Sequence, residues 1–228
     1  MIAATSHATK WRVLQVTLPV TFTFVLLAGT IFFLMLPFLE ARIIEQKRFK
    51  IREMVELTLS NLAHFEQGVQ QGLYTREEAQ DLAADQIRAF RYGPEGKDYF
   101  WIMNAEPRML MHPYVQTFEG VVLNDYVDIK GKRVFVEMVR VAEDPQGGYV
   151  DYMWQYHDDA SRIVPKISYV RAFKPWGWIV GTGMHIEDVR TEIARARAWM
   201  LTTCGVILAI SAVMAAYIMW KAYILNRQ

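Results

Sequence analysis

A mixed α+β domain between two membrane-spanning helices is the architecture this sequence predicts, and three observations carry it. Two runs without a charged residue, Val13 to Leu39 and Ala198 to Trp220, each exceed the roughly 20 apolar residues that cross a hydrocarbon core. Residues 40–197 between them hold 21 of the 25 Lys and Arg and all 24 Asp and Glu. Within that segment a helical spacing of apolar residues gives way, after Gly96, to short aromatic and β-branched runs.

The first run follows Lys10 and Arg12, but its 27 uncharged residues are too long for a secretory signal, and no A-x-A site follows. It reads as an uncleaved anchor, with Pro19 and Pro37 near the ends, where a missing N–H costs least. Lys221 and Arg227 after the second run favour both termini inside. Arg42, Lys47, Arg48, Lys50 and Arg52 crowd the opposite flank, so charge alone does not settle the side. The divisions expected are residues 1–12 cytoplasmic, 13–39 spanning, 40–197 soluble, 198–220 spanning and 221–228 a cytoplasmic tail. Because only eight residues follow the second span, the expected output module is a partner chain or is missing.

From Glu40 to about Gly68, Ile44, Ile51, Val55, Leu59 and Leu62 recur at helical steps, continuous with the first span. This stripe either covers a sheet or pairs with a second copy, so a homodimer is one expectation. Thr75 and Glu78 have the spacing of a capping box, and Gly93-Pro94 ends the helix that follows. Strands are expected at 99–104, 109–112, 148–156, 165–173 and 178–184, with a helix at 131–143 among them. The last strand feeds directly into a helix at 185–197 and the second span.

Residues 40–197 carry a net charge of −3, which excludes the basic stripe a nucleic-acid partner needs. The single cysteine, Cys204, lies in the second span, so the soluble segment has neither disulfide nor thiolate metal site. His64, His112, His157 and His185 lack metal-ligand spacing. No nucleophile elbow or paired carboxylates suggest catalysis, and no cofactor is implied.

In a strand alternate residues share a face. Tyr99 and Trp101 therefore point one way, and Tyr152, Trp154 and Tyr156 likewise share a face. Two such stripes either wall a small binding cavity or form an ordinary aromatic core. The text around them runs in order through Arg91-Tyr92-Gly93, Gly96-Lys97-Asp98-Tyr99-Phe100-Trp101-Ile102, Met111-His112-Pro113, Gly147 to Trp154, Pro165 to Val170, Phe173 to Trp178 and Ile179 to His185. These segments closely resemble the single Cache domain of bacterial chemoreceptors and sensor kinases, a PAS-like fold. The resemblance implies an extracytoplasmic sensor with a long first helix, an antiparallel sheet and a pocket over that sheet for small organic acids. Met184-His185 departs from the family's usual aromatic ending.

Lys166 and Arg91 are the candidate cations for a carboxylate, although Arg91 could merely cap helix carbonyls. His112 either donates to the ligand or braces the loop to Gly120. Tyr169 is a further candidate, but three residues from Lys166 it faces the other side of a regular strand. Asp151 alternates away from the aromatic stripe and reads as a loop anchor. Gly181 and Gly183 read as sites of close backbone packing. The leading expectation is a sensor that signals through the second span. The alternative is an accessory subunit of a larger membrane complex, suggested by Gly205, Ala209, Ser211, Ala212, Ala215 and Ala216 in that span.

Overall fold

The computed structural model describes residues 15, 19, 22–27, 29–93 and 95–225. The expected segment 1–12, much of the first span, Pro94 and residues 226–228 lie outside the described residues. The chain divides into two compact units, residues 1–43 with 191–228 and residues 44–190.

Helix α1 runs Leu36–Gln70, immediately after one wide π turn at Ile31–Met35. Pro37 explains that turn: its ring would clash with the carbonyl four residues back, and the wider turn accommodates it. Helix α4 runs Ile186–Leu225. Both helices carry an apolar stretch long enough to cross a membrane. Hydroxyls in these stretches fold back onto carbonyls one turn earlier: Thr23 on Pro19, Thr30 on Leu26, Thr202 on Ala198, Thr203 on Trp199 and Ser211 on Ile207. Such bonds satisfy polar groups that lipid cannot.

In the unit 44–190, α2 covers Arg76–Ala89 and begins with the capping box foreseen, Thr75 and Glu78 each bonding the other's backbone N–H. Strands β1 (Phe100–Asn104), β2 (Met109–Met111), β3 (Gly148–Tyr156), β4 (Asp159–Phe173) and β5 (Trp178–His185) form one antiparallel sheet of order β2-β1-β5-β4-β3. Helix α3 (Val134–Ala142) sits between β2 and β3 in sequence. Strand β4 starts six residues before the expected position. Asp159-Ala160-Ser161-Arg162 looked like loop because that end of the hairpin is exposed and carries no apolar alternation.

One sheet face is covered by α1, whose Ile51, Val55 and Leu62 are buried. Arg171 on β4 pairs with Glu56, Tyr149 donates to the Arg48 carbonyl at 3.0 Å, and Trp176 donates to Glu66 at 2.6 Å. The apolar stripe of α1 therefore covers the sheet, the first of its two expected roles. Phe49 and Leu57, at 62% and 66% exposure, face away from it. On the other face α3 and the segment 112–133 lie over the aromatic stripes. Val134, Phe135, Met138 and Ala142 join Tyr99, Trp101, Met103, Tyr152 and Trp154 in one buried cluster.

Candidate functional site

Alternation along three strands brings the site together. Tyr99 immediately precedes β1 and Trp101 lies within it. Tyr152 and Trp154 come from β3, and Lys166 and Ser168 from β4. Lys166 pairs in register with Tyr152 on one side and with His185 of β5 on the other. The face is closely built. A side chain at Gly181 would meet the Trp101 indole at 2.5 Å, and one at Gly183 would meet Ser168 Oγ at 2.2 Å and Lys166 Cε at 3.0 Å. The two glycines of β5 are thus the floor on which Trp101 and Lys166 lie, the close packing expected of them.

Lys166 is the chemical centre. It is 1% exposed, and its Nζ donates to Tyr99 Oη at 2.9 Å. The ammonium lies 4.1 Å from the centre of the Tyr99 ring and 5.2 Å from that of Trp101. Burial pushes its pKa down to about 7, opposed by the more distant charge of Asp98. No carboxylate among the described residues forms an ion pair with it. Tyr99 Oη also accepts from Trp154 Nε1 at 3.0 Å, so the Tyr99 hydroxyl hydrogen points elsewhere. Trp101 Nε1 is buried and has no acceptor among the described residues. The centre is therefore rich in donors and short of acceptors, an arrangement that favours an anion.

Several of the surrounding polar groups are already paired. Tyr152 Oη and Ser168 Oγ are 2.9 Å apart. Of the two roles that the sequence left open for His112, the structure shows the bracing one. Its Nδ1 accepts from the backbone N–H of Tyr114 (3.2 Å) and Val115 (2.9 Å), bracing the loop. Its ring also packs 5.0 Å from Tyr99 and 5.9 Å from Trp154. Burial, helped by the Lys166 and Arg88 charges, lowers its pKa to about 3, so the imidazole is neutral. The covering loop is pinned from α2. Arg88 makes a two-pronged pair with Glu119 at 2.5 and 3.0 Å, and Glu119 also accepts the His112 N–H at 2.8 Å. Asp128, buried in the same covering segment, accepts backbone N–H groups of Lys130, Lys132 and Met153, each at 2.9 Å. Asp151 is held by Lys132 at 3.5 Å, the loop anchor expected.

Two expected site residues are placed elsewhere. Tyr169 points to the opposite sheet face, where its hydroxyl donates to the Gln146 carbonyl and its ring packs 5.1 Å from Tyr149. No bulge re-aims it, because β4 pairs with β5 in unbroken register from Lys166 to Phe173. Arg91 is exposed and donates to the carbonyls of Arg88 and Phe90, both at 2.7 Å, the capping alternative. Its guanidinium lies over Tyr114, which stacks edgewise on Tyr99, so it is one ring removed from the centre. Ser168 and the glycines belong to the centre and were not among the expected ligand contacts. The position of Ser168 two residues from Lys166, with Gly183 and Gly181 paired to Ser168 and Val170 on β5, was the available signal.

A second polar group lies at the sheet end beyond His185. Tyr156 donates to Asp188 at 2.6 Å, and the His157 ring is 4.8 Å from that of His185.

The profile of the family described as Single Cache domain 2 matches residues 43–199. Methyl-accepting chemotaxis protein McpP of Pseudomonas putida is 38% identical over 162 residues, 71% of this chain and 29% of that protein. Sensor histidine kinase MctS of Rhizobium johnstonii is 31% identical over 161 residues, 68% of this chain and 33% of that protein. The chain thus spans about a third of the length of these curated relatives. A solved Cache chemosensory domain, described for its recognition of carboxylic acids, aligns with a TM-score of 0.60 and 36% identity. That alignment covers 64% of this chain and 97% of the other.

Proposed function

The chain belongs to the Single Cache domain 2 family, and from that membership we propose that residues 40–197 form an extracytoplasmic sensor of short-chain carboxylates. Residues 13–39 and 198–220 anchor it in the bacterial cell membrane, with residues 1–12 and 221–228 on the cytoplasmic side. Lys166 receives the carboxylate, aided by the Tyr99 hydroxyl and the Trp101 indole N–H. Tyr152, Trp154 and His112 shape the wall around the ligand's apolar part. The observation that carries this reading is the buried ammonium of Lys166, which has no carboxylate partner among the described residues and lies beside a Trp101 indole N–H that has no acceptor among them.

Because Lys166 and Tyr99 are 1% and 2% exposed, the ligand enters only when the covering segment moves. A carboxylate of about five heavy atoms, at up to ~1.5 kcal/mol each, reaches roughly ten-micromolar affinity. Occupancy acts on β4 and β5, and β5 passes at His185 directly into α4. Signal would leave the domain along that helix, toward an output module in the same or another polypeptide. The outward residues Phe49 and Leu57 of α1 suit a homodimer contact.

A thermal-shift screen of residues 40–197 against C2 to C4 carboxylates, amines and amino acids tests the reading. The carboxylates raise the melting temperature of the wild type and leave Lys166→Met and Trp101→Phe unmoved. No shift with any compound, together with stable co-purification of other membrane subunits, would instead favour the accessory-subunit alternative.

A further inference from the structure

At the end of the sheet adjoining α4, His157 occupies the turn between β3 and β4, 5% exposed and in a left-handed backbone conformation with φ of 51°. Its two ring nitrogens face two carboxylates from different elements. Nδ1 lies 4.0 Å from Asp98 Oδ1, just before β1, and Nε2 lies 3.9 Å from Asp188 Oδ2, in the first turn of α4. Both distances are in ion-pair range and too long for hydrogen bonds, and Nδ1 has no hydrogen-bond partner among the described residues. A neutral imidazole has one N–H and can serve one of these carboxylates. An imidazolium has two and serves both at once.

We propose that His157 is a proton-operated clasp, joining Asp98 to Asp188 and so giving the domain a second input, extracytoplasmic pH, at the root of α4. Protonation supplies the second N–H and a positive charge between two carboxylates. Closing each gap from about 4 Å to about 2.9 Å, the usual hydrogen-bond length, draws the loop before β1 and the first turn of α4 toward the ring.

The neighbouring charges are compatible with this role. His185, the closest other imidazole, is 1% exposed, and burial, with Lys166, His157 and Arg162 nearby, holds its pKa at about 2. It stays neutral and accepts the His157 backbone N–H at Nε2, 3.4 Å away. Burial raises the Asp98 carboxyl, while His157, Lys166 and Lys50 of α1 favour its charged form and Asp188 opposes it. Tyr156 already bonds Asp188 and sits under Arg162, which itself pairs with Glu187. Lys97 and Asp158 pair with each other at 3.0 Å at the edge of the group. Glu95 acts on Tyr156 at longer range. The Tyr156–Asp188 bond fixes the helix end on which the clasp would act.

The test uses the full chain in lipid nanodiscs, without any carboxylate ligand. Hydrogen exchange of peptides spanning residues 186–193 is measured at pH 5.5 and pH 7.5 and corrected for the intrinsic pH dependence of exchange. Protection in the wild type is expected to be severalfold greater at pH 5.5 than at pH 7.5. His157→Asn tolerates the left-handed backbone and abolishes the difference. Asp188→Asn keeps an acceptor for Tyr156 and also abolishes it, so it decides the matter if His157→Asn does not fold. Because no carboxylate is present, the outcome does not depend on the carboxylate reading. Equal protection at the two pH values in the wild type, or a pH response retained in either Asn variant, overturns it.

Discussion

Replacing Lys166 by Met should stabilise the ligand-free domain at low pH, because the wild type holds an unpaired ammonium in a site that disfavours charge. The Lys166 pKa falls from 10.5 to about 7, with burial the dominant cause. At about 1.4 kcal/mol per pH unit, this corresponds to a cost of about 5 kcal/mol in the charged state. Met lacks the hydrogen bond to Tyr99 and the ring contacts, worth about 1–2 kcal/mol together. The net expected gain is about 3 kcal/mol at pH 6. Its sign with pH follows from linkage. Between about 7 and 10.5 the unfolded chain binds the Lys166 proton and the folded chain does not, so wild-type stability rises across that window relative to Met. The cost is fully present below pH 7 and relieved by about pH 10.5. Urea unfolding of residues 40–197 at pH 6 and pH 10, in both forms, reads this directly. A Met variant less stable than wild type at pH 6, or a difference unchanged at pH 10, would refute the assignment of a desolvated ammonium.

Further expectations concern packing and the covering loop. Gly183→Ala places a Cβ 2.7 Å from the Ile167 carbonyl oxygen, a backbone atom that cannot rotate away. It should cost about 1–3 kcal/mol in urea unfolding and abolish the carboxylate thermal shift; unchanged stability would contradict the close approach. Arg88→Ala leaves Glu119 in the covering loop without its cation, holding only the His112 N–H. A loss of about 1–3 kcal/mol should accompany faster hydrogen exchange in residues 112–120, with α2 unaffected. Cysteine at Phe49 or Leu57 should crosslink two copies in native membranes, whereas cysteine at the buried Ile51 should not; crosslinking confined to Ile51 would reverse the assignment of the α1 faces.

Much of this fold was legible because its signals are local. Thr75 and Glu78 marked the start of α2, and the alternation of Tyr152 and Trp154 placed both on the site face. Two uncharged runs located the long apolar helices. The same period of two gave the objection to Tyr169, which the unbroken β4–β5 register upholds. Less legible was whatever depends on partners distant in sequence. Nothing near Arg91 distinguishes a ligand contact from a cap on the Arg88 and Phe90 carbonyls. Ser168 is an ordinary strand residue until β3 brings Tyr152 beside it. The grouping of His157 with Asp98 and Asp188 arises only when the β3–β4 turn, the loop before β1 and the root of α4 converge. The exposed start of β4 escaped detection because an overhanging hairpin needs no apolar face.

The central claim, that Lys166 is the receptor for a carboxylate, is tested most directly by the pH dependence of binding. Calorimetric titration of residues 40–197 with the carboxylate giving the largest thermal shift should be run from pH 6 to pH 9. The bound anion requires the ammonium, and the free site loses its proton near pH 7. Affinity should therefore be flat below pH 7 and fall by about tenfold per pH unit above it, with a proton taken up on binding. Lys166→Met should show no binding at any pH. Affinity constant from pH 6 to pH 9, or binding that survives Lys166→Met, would contradict the account.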